Sequence, residues 1–474
     1  RLAYDELLAN QMALALLRAS LQRVTGREFS GDGRLRDAVR ARLPFTLTAG
    51  QETAIEEITA DLAQPHRMLR LLQGDVGSGK TVVALFALLV AVEAGAQGAL
   101  MAPTELLARQ HFATLEKLLG DCGVTIALLT GRAKRSERAA AMEKLAKGDI
   151  DIAIGTHALF QSEVEFADLA VAVVDEQHRF GVHQRMTLAA KGKGVDVLVM
   201  TATPIPRTLM LTAFGDLQFS RLNEKPAGRA PIATRVLPLL RLGEVIDGIK
   251  RAVKSGARVF WVCPLVEESE AVDLAAAEER HAQLQNIFTA RAGLVHGRMK
   301  SAEKEAAMSA FASGAVDILV ATTVIEVGID IPEATIMVIE HAERFGLAQL
   351  HQLRGRVGRS DKAGHCLLLY APPLGETARA RLEIMRETDD GFRIAEEDLK
   401  LRGAGELLGT RQSGLPELRL ADLAHHGDLL ATARDDARLI LARDPELKSE
   451  RSQALRVLLY LFERDAAARY LRSA

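Results

Sequence analysis

Gly74-Asp75-Val76-Gly77-Ser78-Gly79-Lys80-Thr81 decides how the rest of this chain is read. The stretch fits G-x-x-x-x-G-K-[ST], a loop that cradles the phosphates of a nucleoside triphosphate. Residues 68–73 precede it as an apolar run that reads as a buried strand, and residues 82–92 follow as a buried helix. The motif therefore sits at a strand-to-helix turn. Glycines there let main-chain N–H groups point at phosphate oxygens, and the helix N-terminus adds partial positive charge. Lys80 would reach the terminal phosphates, and Thr81 would offer its hydroxyl to Mg²⁺. The competing reading is a chance glycine-rich turn, which the flanking strand and helix weaken.

Outward from the loop, strands and helices alternate. Strands are expected at 68–73, 98–102, 124–129, 150–154, 169–174 and 195–200, with helices at 51–62, 82–94, 105–119 and 135–147. Such alternation predicts an α/β protein with a mostly parallel sheet covered on both faces. Ligands then bind beyond the carboxyl ends of the strands. A Pro/Gly stretch at 224–231 reads as a linker. A second alternating set follows, with strands at 259–263, 293–295, 316–321, 335–339 and 365–370 and helices at 242–255, 268–287 and 301–312; it has no second phosphate loop. Beyond 373 the chain reads as helices, at 377–387, 394–402 and around 454–471. At the other end, Leu7, Leu14, Leu17, Leu21 and Val24 line one face of a helix, and a short helix follows at 35–42. These two read as connectors. The expected division is 1–44 connector helices, 45–228 nucleotide-binding domain, 229–373 second domain and 374–474 helical tail.

At 474 residues the chain exceeds one core, and its 48% apolar content is that of a globular protein. A net charge of −2 with pI ≈ 6.7 is not the basic footprint of a typical nucleic-acid-binding domain. Any such binding would rest on a few placed residues. Three scattered cysteines, Cys122, Cys263 and Cys366, argue against a disulfide framework or zinc site and for a reducing cytoplasm. No apolar run approaches the roughly 20 residues of a membrane span, and no leader pattern opens the chain. It begins at Arg1, so a fragment or processed product is expected.

Two further stretches carry chemistry. An apolar strand ends in Asp175-Glu176-Gln177-His178. Asp175 would hold the water shell of Mg²⁺, and Glu176 would orient or deprotonate an attacking water. Alone the pair could be a solvated turn; downstream of a phosphate loop it is far more specific. Gln352-Leu353-Arg354-Gly355-Arg356-Val357-Gly358-Arg359 crowds arginines among glycines, which suits neither a helix surface nor a core. Arginines such as Arg356 and Arg359 could neutralise γ-phosphate charge from the second domain, a contribution of about 10³–10⁵ in rate. Closing the cleft would then switch hydrolysis on. Thr201 and Thr203 end a strand and could relay between the nucleotide and a second ligand. Gln51 could read adenine through its amide, although a surface glutamine is the plainer reading of that position.

Together these motifs resemble superfamily 2 helicases and, within them, the RecG family. The similarity rests on Leu43-Pro44-Phe45 with Gln51, GDVGSGKT, Ala102-Pro103-Thr104-Glu105-Leu106-Leu107-Ala108, Gly155-Thr156-His157, the DEQH box and its continuation through Arg185, and TATPIPRT from Thr201. The second half adds Val295-His296-Gly297-Arg298-Met299, TTVIEVGID from Thr322 to Asp330, and QLRGRVGRS. The tail segment 398–414 matches closely as well. The resemblance implies two RecA-like domains in tandem, then a helical translocation hairpin in which Arg381, Arg402 and Gln412 couple domain closure to DNA movement. It implies ATP and Mg²⁺ as ligands, with Gly74 to Thr81, Gln51, Asp175, Gly328 and Asp330 around the nucleotide. Thr104, Thr156, Thr323, His178, Thr201 and Thr203 would contact DNA or couple to it. It implies a monomeric bacterial, nucleoid-associated enzyme acting on forks and Holliday junctions. R-loops and single-stranded DNA-binding protein are further candidate partners. The family also carries an N-terminal wedge domain that no stretch here matches. Two other readings stand beside it. A transcription-repair coupling translocase would show DEEH in place of DEQH, and an ATP-gated scaffold would not need Lys80, Glu176, Arg356 and Arg359 intact. Residues 377–412 mix acids with arginines, which suggests an internal ion-pair network more than a DNA-binding face.

Overall fold

The structure is a computed structural model and describes residues 1–22, 26–131, 135–161, 163–176, 194–203, 206, 218–224, 231–264, 270–289, 291–322, 331, 333–358, 362–408 and 418–462. The first half holds α1 (Leu2–Gln22), α2 (Arg34–Arg42), α3 (Ala49–Leu62), α4 (Lys80–Glu93), α5 (Glu105–Leu119) and α6 (Arg135–Lys147). Its strands are β1 (Leu69–Gly74), β2 (Gln97–Met101), β3 (Ile126–Leu129), β4 (Ile152–Gly155), β5 (Leu169–Asp175), β6 (Asp196–Thr201) and β7 (Gln218–Leu222). They form one sheet in the order β3-β4-β2-β5-β6-β1-β7, with every pairing parallel. The strands are apolar on both faces because both are covered. Leu72, Leu100, Ile154, Val173 and Leu198 pack with α3, α4 and α5 on one side. Leu71, Met101, Ala153, Val174 and Val199 build a second core on the other. α4 runs through the first core and is buried from Val82 to Ala91, so its sequence is apolar all round.

The second half repeats the plan with β8 (Ile232–Pro238), β9 (Arg258–Val262), β10 (Ala292–Val295), β11 (Ile318–Ala321), β12 (Ala334–Ile339) and β13 (Gly364–Tyr370). The order is β10-β11-β9-β12-β13-β8, again parallel. α7 (Leu242–Lys254), α8 (Glu270–Ile287), α9 (Ser301–Ser313) and α10 (Leu347–Arg354) accompany it. Then come α11 (Glu376–Glu387) and α12 (Gly391–Leu408), which bury Leu382, Met385 and Ile394 in the second domain's core. Two tandem parallel-sheet domains of the RecA type are thus present, as expected.

Several elements depart from the sequence reading. β7 and β8 were not expected. Both are edge strands, only partly buried, so they lack the continuous apolar run of a central strand. α10 takes in Gln352 to Arg354, a stretch expected to be unsuited to a helix. α13 (Leu423–Arg443) was also missed; it is kinked at His426. α14 is Glu450–Leu461 rather than 454–471, and residues 463–474 lie outside the described ones. Most of the expected linker, 225–230, lies outside them too.

The two N-terminal helices part company. α1 buries Leu7, Met12, Ala13 and Leu16 against α13 and α14, so its buried face is not centred on Leu14, which stays half-buried. The Glu6 carboxylate, 1% exposed, accepts main-chain N–H groups of Arg419, Leu420 and Ala421 at 2.7, 2.8 and 2.8 Å. α2 instead joins the first domain through Leu35 and Val39. Its first N–H groups, from Gly33, Leu35 and Arg36, bond to Glu93 at the end of α4, a cap supplied from a distant residue. Among the described residues, no helix is long and apolar enough to cross a membrane.

Candidate nucleotide site between the domains

β1 ends at Gly74 and α4 begins at Lys80, so the loop between them lies at the carboxyl edge of the sheet. Gly77 and Gly79 have φ of 75° and 85°, a region that costs residues with a Cβ about 1–2 kcal/mol. A Cβ on Gly79 would lie 2.2 Å from Gln51 Nε2. The loop is thus a tight cradle with α4's N-terminus beneath it, which fits a bound phosphate group. Lys80 Nζ donates to the carbonyls of Gly74 and Asp75 at 2.6 and 2.9 Å. Ser78 is buried, while Val76 and Thr81 are half-buried beside it. Gln51 is not a surface residue. It is 2% exposed, completes the capping box of α3 with Thr48, and donates through Nε2 to Ser78 O at 2.8 Å.

Asp175 and Glu176 close β5, two strands from the loop strand. Burial alone would push the Asp175 carboxyl up. A 2.9 Å bond to His111 Nε2, the nearby charges of His111 and Lys80, and the Glu176 N–H outweigh it and hold Asp175 below its usual value. Glu176 moves the other way, raised by burial and then by Asp175, against Lys80, Arg356 and the Ala202 N–H. Two adjacent carboxyls pushed apart in this way suit different tasks. Glu176 also has φ of 54°, uncommon for a non-glycine residue and typical of strained functional positions. Among the described residues no cluster of His, Cys, Asp and Glu could hold a metal by itself. A cation here would rely on Thr81, Asp175 and phosphate oxygens, the usual Mg²⁺ arrangement.

The second domain reaches this site through α10. His351 Nε2 lies 3.0 Å from Asp75 Oδ1. Gln352 Nε2 donates to Thr203 Oγ1, and Thr201 Oγ1 accepts the Thr203 N–H at 3.1 Å. A Cβ on Gly355 would meet Val76 Cβ at 3.0 Å, so the two domains touch closely. Arg356 is 8% exposed and its charge acts on Glu176. Arg354, in contrast, does not reach the loop directly but stands behind His351, with Nη2 3.0 Å from His351 Nδ1. It is 2% exposed and donates through Nη1 to the carbonyls of Met385 and Thr388, both at 2.8 Å. A further tie between domains is Arg221 of β7, whose guanidinium lies 5.1 Å from the Phe219 ring centre and 5.0 Å from that of Phe392 on α12.

Thr104 and Thr156 come together in one cavity of about 230 Å³, also lined by Glu105, Arg138, His157 and Gln161. Thr104 caps α5, accepting the Leu107 N–H at 3.3 Å. Arg381 donates to the Phe345 carbonyl at 3.2 Å, and among the described residues no acid pairs with it. His178, Thr323, Gly328, Asp330, Arg359 and Gln412 lie outside the described residues, as does the side chain of Arg402. His111 and His351 were missed in the sequence. His111 shares the core face of α5 with Ala108 and Leu115, and a histidine on an apolar stripe was the one available signal.

Family models described as DEAD/DEAH box helicase, helicase conserved C-terminal domain, and ATP-dependent DNA helicase RecG domain 3 C-terminal match residues 48–212, 241–361 and 388–461. The chain is 47% identical over 456 residues to the ATP-dependent DNA helicase RecG of Pasteurella multocida, covering 95% of this chain and 66% of that one. It is 49% identical over 455 residues to RecG of Streptococcus pneumoniae, covering 94% and 67%. A solved structure of RecG bound to a three-way DNA junction superposes with a TM-score of 0.76 at 44% identity, covering 91% of this chain and 56% of that one. The chain spans about two thirds of the length of these curated relatives. With motifs, fold and tail all in common, the chain belongs to the RecG family of ATP-dependent DNA helicases.

Proposed function

We propose that this chain is the motor of an ATP-dependent DNA helicase that remodels branched DNA, reversing stalled forks and migrating Holliday junctions. One observation carries the motor reading: α10 and the residues after it touch the phosphate loop, Thr203 and the Glu176 environment together. Nucleotide chemistry and domain contact are therefore one site. The relative bound to a three-way junction supports branched DNA as the substrate class.

In this reading Gly74 to Thr81 hold the phosphates and Gln51 braces the loop. Thr81 and Asp175 would hold Mg²⁺, which when bound neutralises phosphate charge. His111 fixes the Asp175 carboxylate, and the Ala202 N–H holds Glu176, whose raised proton affinity suits a group that takes a proton from water. Lys80 and Arg356 supply positive charge from opposite domains, and Arg359, Gly328 and Asp330 complete the set by resemblance. Thr104 and Thr156 would take DNA phosphates at their shared cavity, since a motor must hold any sequence. Thr323 and His178 are assigned to DNA coupling, and Arg381, Arg402 and Gln412 to the hairpin, with domain limits at 1–44, 45–228, 229–373 and 374–474. A monomer in a bacterial cytoplasm is the setting proposed.

The test is ATP hydrolysis by this chain with fork, duplex and single-stranded DNA, beside Glu176→Gln. The variant should retain nucleotide binding and lose turnover by about 10²–10⁴-fold. Hydrolysis by the variant at the parent rate would remove Glu176 from its role.

A further inference from the structure

Asp75 is an odd residue for a loop built to hold phosphates. The glycines, Lys80 and the α4 N-terminus all favour anions there, whereas Asp75 adds a negative charge. Its carboxylate is engaged from the other domain. His351 Nε2 lies 3.0 Å from Asp75 Oδ1, and the two side chains are 6% and 19% exposed. The far side of the ring assigns the tautomer. Arg354 Nη2 lies 3.0 Å from His351 Nδ1. A guanidinium only donates, so Nδ1 accepts and Nε2 carries the hydrogen given to Asp75. Arg354 is anchored in turn by the Met385 and Thr388 carbonyls. A fixed donor backed by a fixed positive charge thus answers Asp75, and it does so from the second domain. The carbonyl of the same residue accepts from Lys80 Nζ at 2.9 Å. Asp75 is therefore tied both to the phosphate-directed lysine and to the neighbouring domain.

We propose that Asp75 is a charge gate for nucleotide release, held shut by His351 and opened when the second domain withdraws. With the domains together, His351 and Arg354 offset the carboxylate and the loop retains its phosphates. With the domains apart, the carboxylate loses that partner and repels the phosphates of ADP. The inference rests on the nucleotide-site reading above and adds a release step to it.

The experiment measures dissociation of a fluorescent ADP analogue from the 474-residue chain by stopped flow. Asp75→Asn keeps the side-chain shape without the charge. It should slow release about 10-fold, the scale of one unit charge acting at intermediate range inside a protein, and lower KM for ATP as kcat falls. His351→Ala should speed release about 5-fold in the parent and leave the Asp75→Asn chain within about 2-fold, since neighbours sharing one interaction are not additive. His351→Gln, whose amide can donate in place of Nε2–H, should restore the parent rate. High salt should slow release from the parent more than from Asp75→Asn. Unchanged or faster release from Asp75→Asn, or an equal effect of His351→Ala in both backgrounds, overturns the gate alone. Failure of the parent to bind ADP overturns the nucleotide-site reading and the gate with it.

Discussion

Arg354→Ala should unlock the second domain from the hairpin that follows it. The guanidinium is 2% exposed, and its burial lowers its proton affinity, so the group is kept at a cost. Three acceptors depend on it: the carbonyls of Met385 and Thr388, at 2.8 Å each, and His351 Nδ1 at 3.0 Å. The Met385 carbonyl lies in the last turn of α11, where helix carbonyls have no partner within the helix, and the Thr388 carbonyl lies just past its end. Leaving a buried acceptor unmade costs about 1–3 kcal/mol. Relief of burying the charge offsets part of that, leaving a net loss of about 3–4 kcal/mol. For a unit of about 150–250 residues, 1 kcal/mol moves the midpoint by about 2–4 °C. Calorimetry should therefore find the second domain's transition lowered by roughly 6–16 °C. Arg354→Lys should recover less than half of this, because one ammonium cannot serve both carbonyls and the ring in a plane. A drop below about 2 °C for the alanine variant would refute the argument, since the predicted floor is about three times larger.

Two other perturbations test the packing of each domain. Asp196 is 1% exposed, and burial pushes its carboxyl up to about 7, against the Met68 N–H and the charges of Arg67 and Arg27. A raised acid stabilises the fold below its unfolded value and loses that contribution as pH rises through the folded one. The first domain should therefore weaken between about pH 4 and 7, and Asp196→Asn should flatten that dependence in thermal unfolding; an unchanged slope would exclude Asp196 as its source. In the second domain, Glu340 is 5% exposed and accepts from Trp261 Nε1 and from Arg280, whose Nη2 is at 3.0 Å. Arg280→Ala strands that carboxylate and should cost about 3–5 kcal/mol, and adding Glu340→Gln should recover most of it. Equal losses in the single and double variants would contradict this.

The legible parts of the molecule were those written in contiguous residues. The phosphate loop and the Asp175-Glu176 pair announce themselves because backbone geometry and metal chemistry dictate residue types at fixed spacing. Central strands were legible because burial on both faces leaves an unbroken apolar run, as in residues 169–175. β8 escaped because an edge strand alternates exposed and half-buried positions. The role of Arg354 was not legible because composition cannot tell an arginine serving phosphates from one serving two main-chain carbonyls. His351 and His111 escaped for a related reason. Each acts on a carboxylate brought near only by the folded chain, 276 and 64 residues away. The left-handed backbone of Glu176 leaves no trace in residue type at all.

The docking of α1 onto the tail bears on how the chain is made. Glu6 and its partner Arg419 are 413 residues apart. At about 5–20 residues per second, ribosomal synthesis separates them by roughly 20–80 s. Through that interval the α13 and α14 surface that covers Leu7, Met12 and Leu16 does not yet exist, although both parallel-sheet domains can complete their cores. An apolar helix left waiting so long is a natural client for a chaperone at the ribosomal exit. α1 is thus among the last of these helices to find its place.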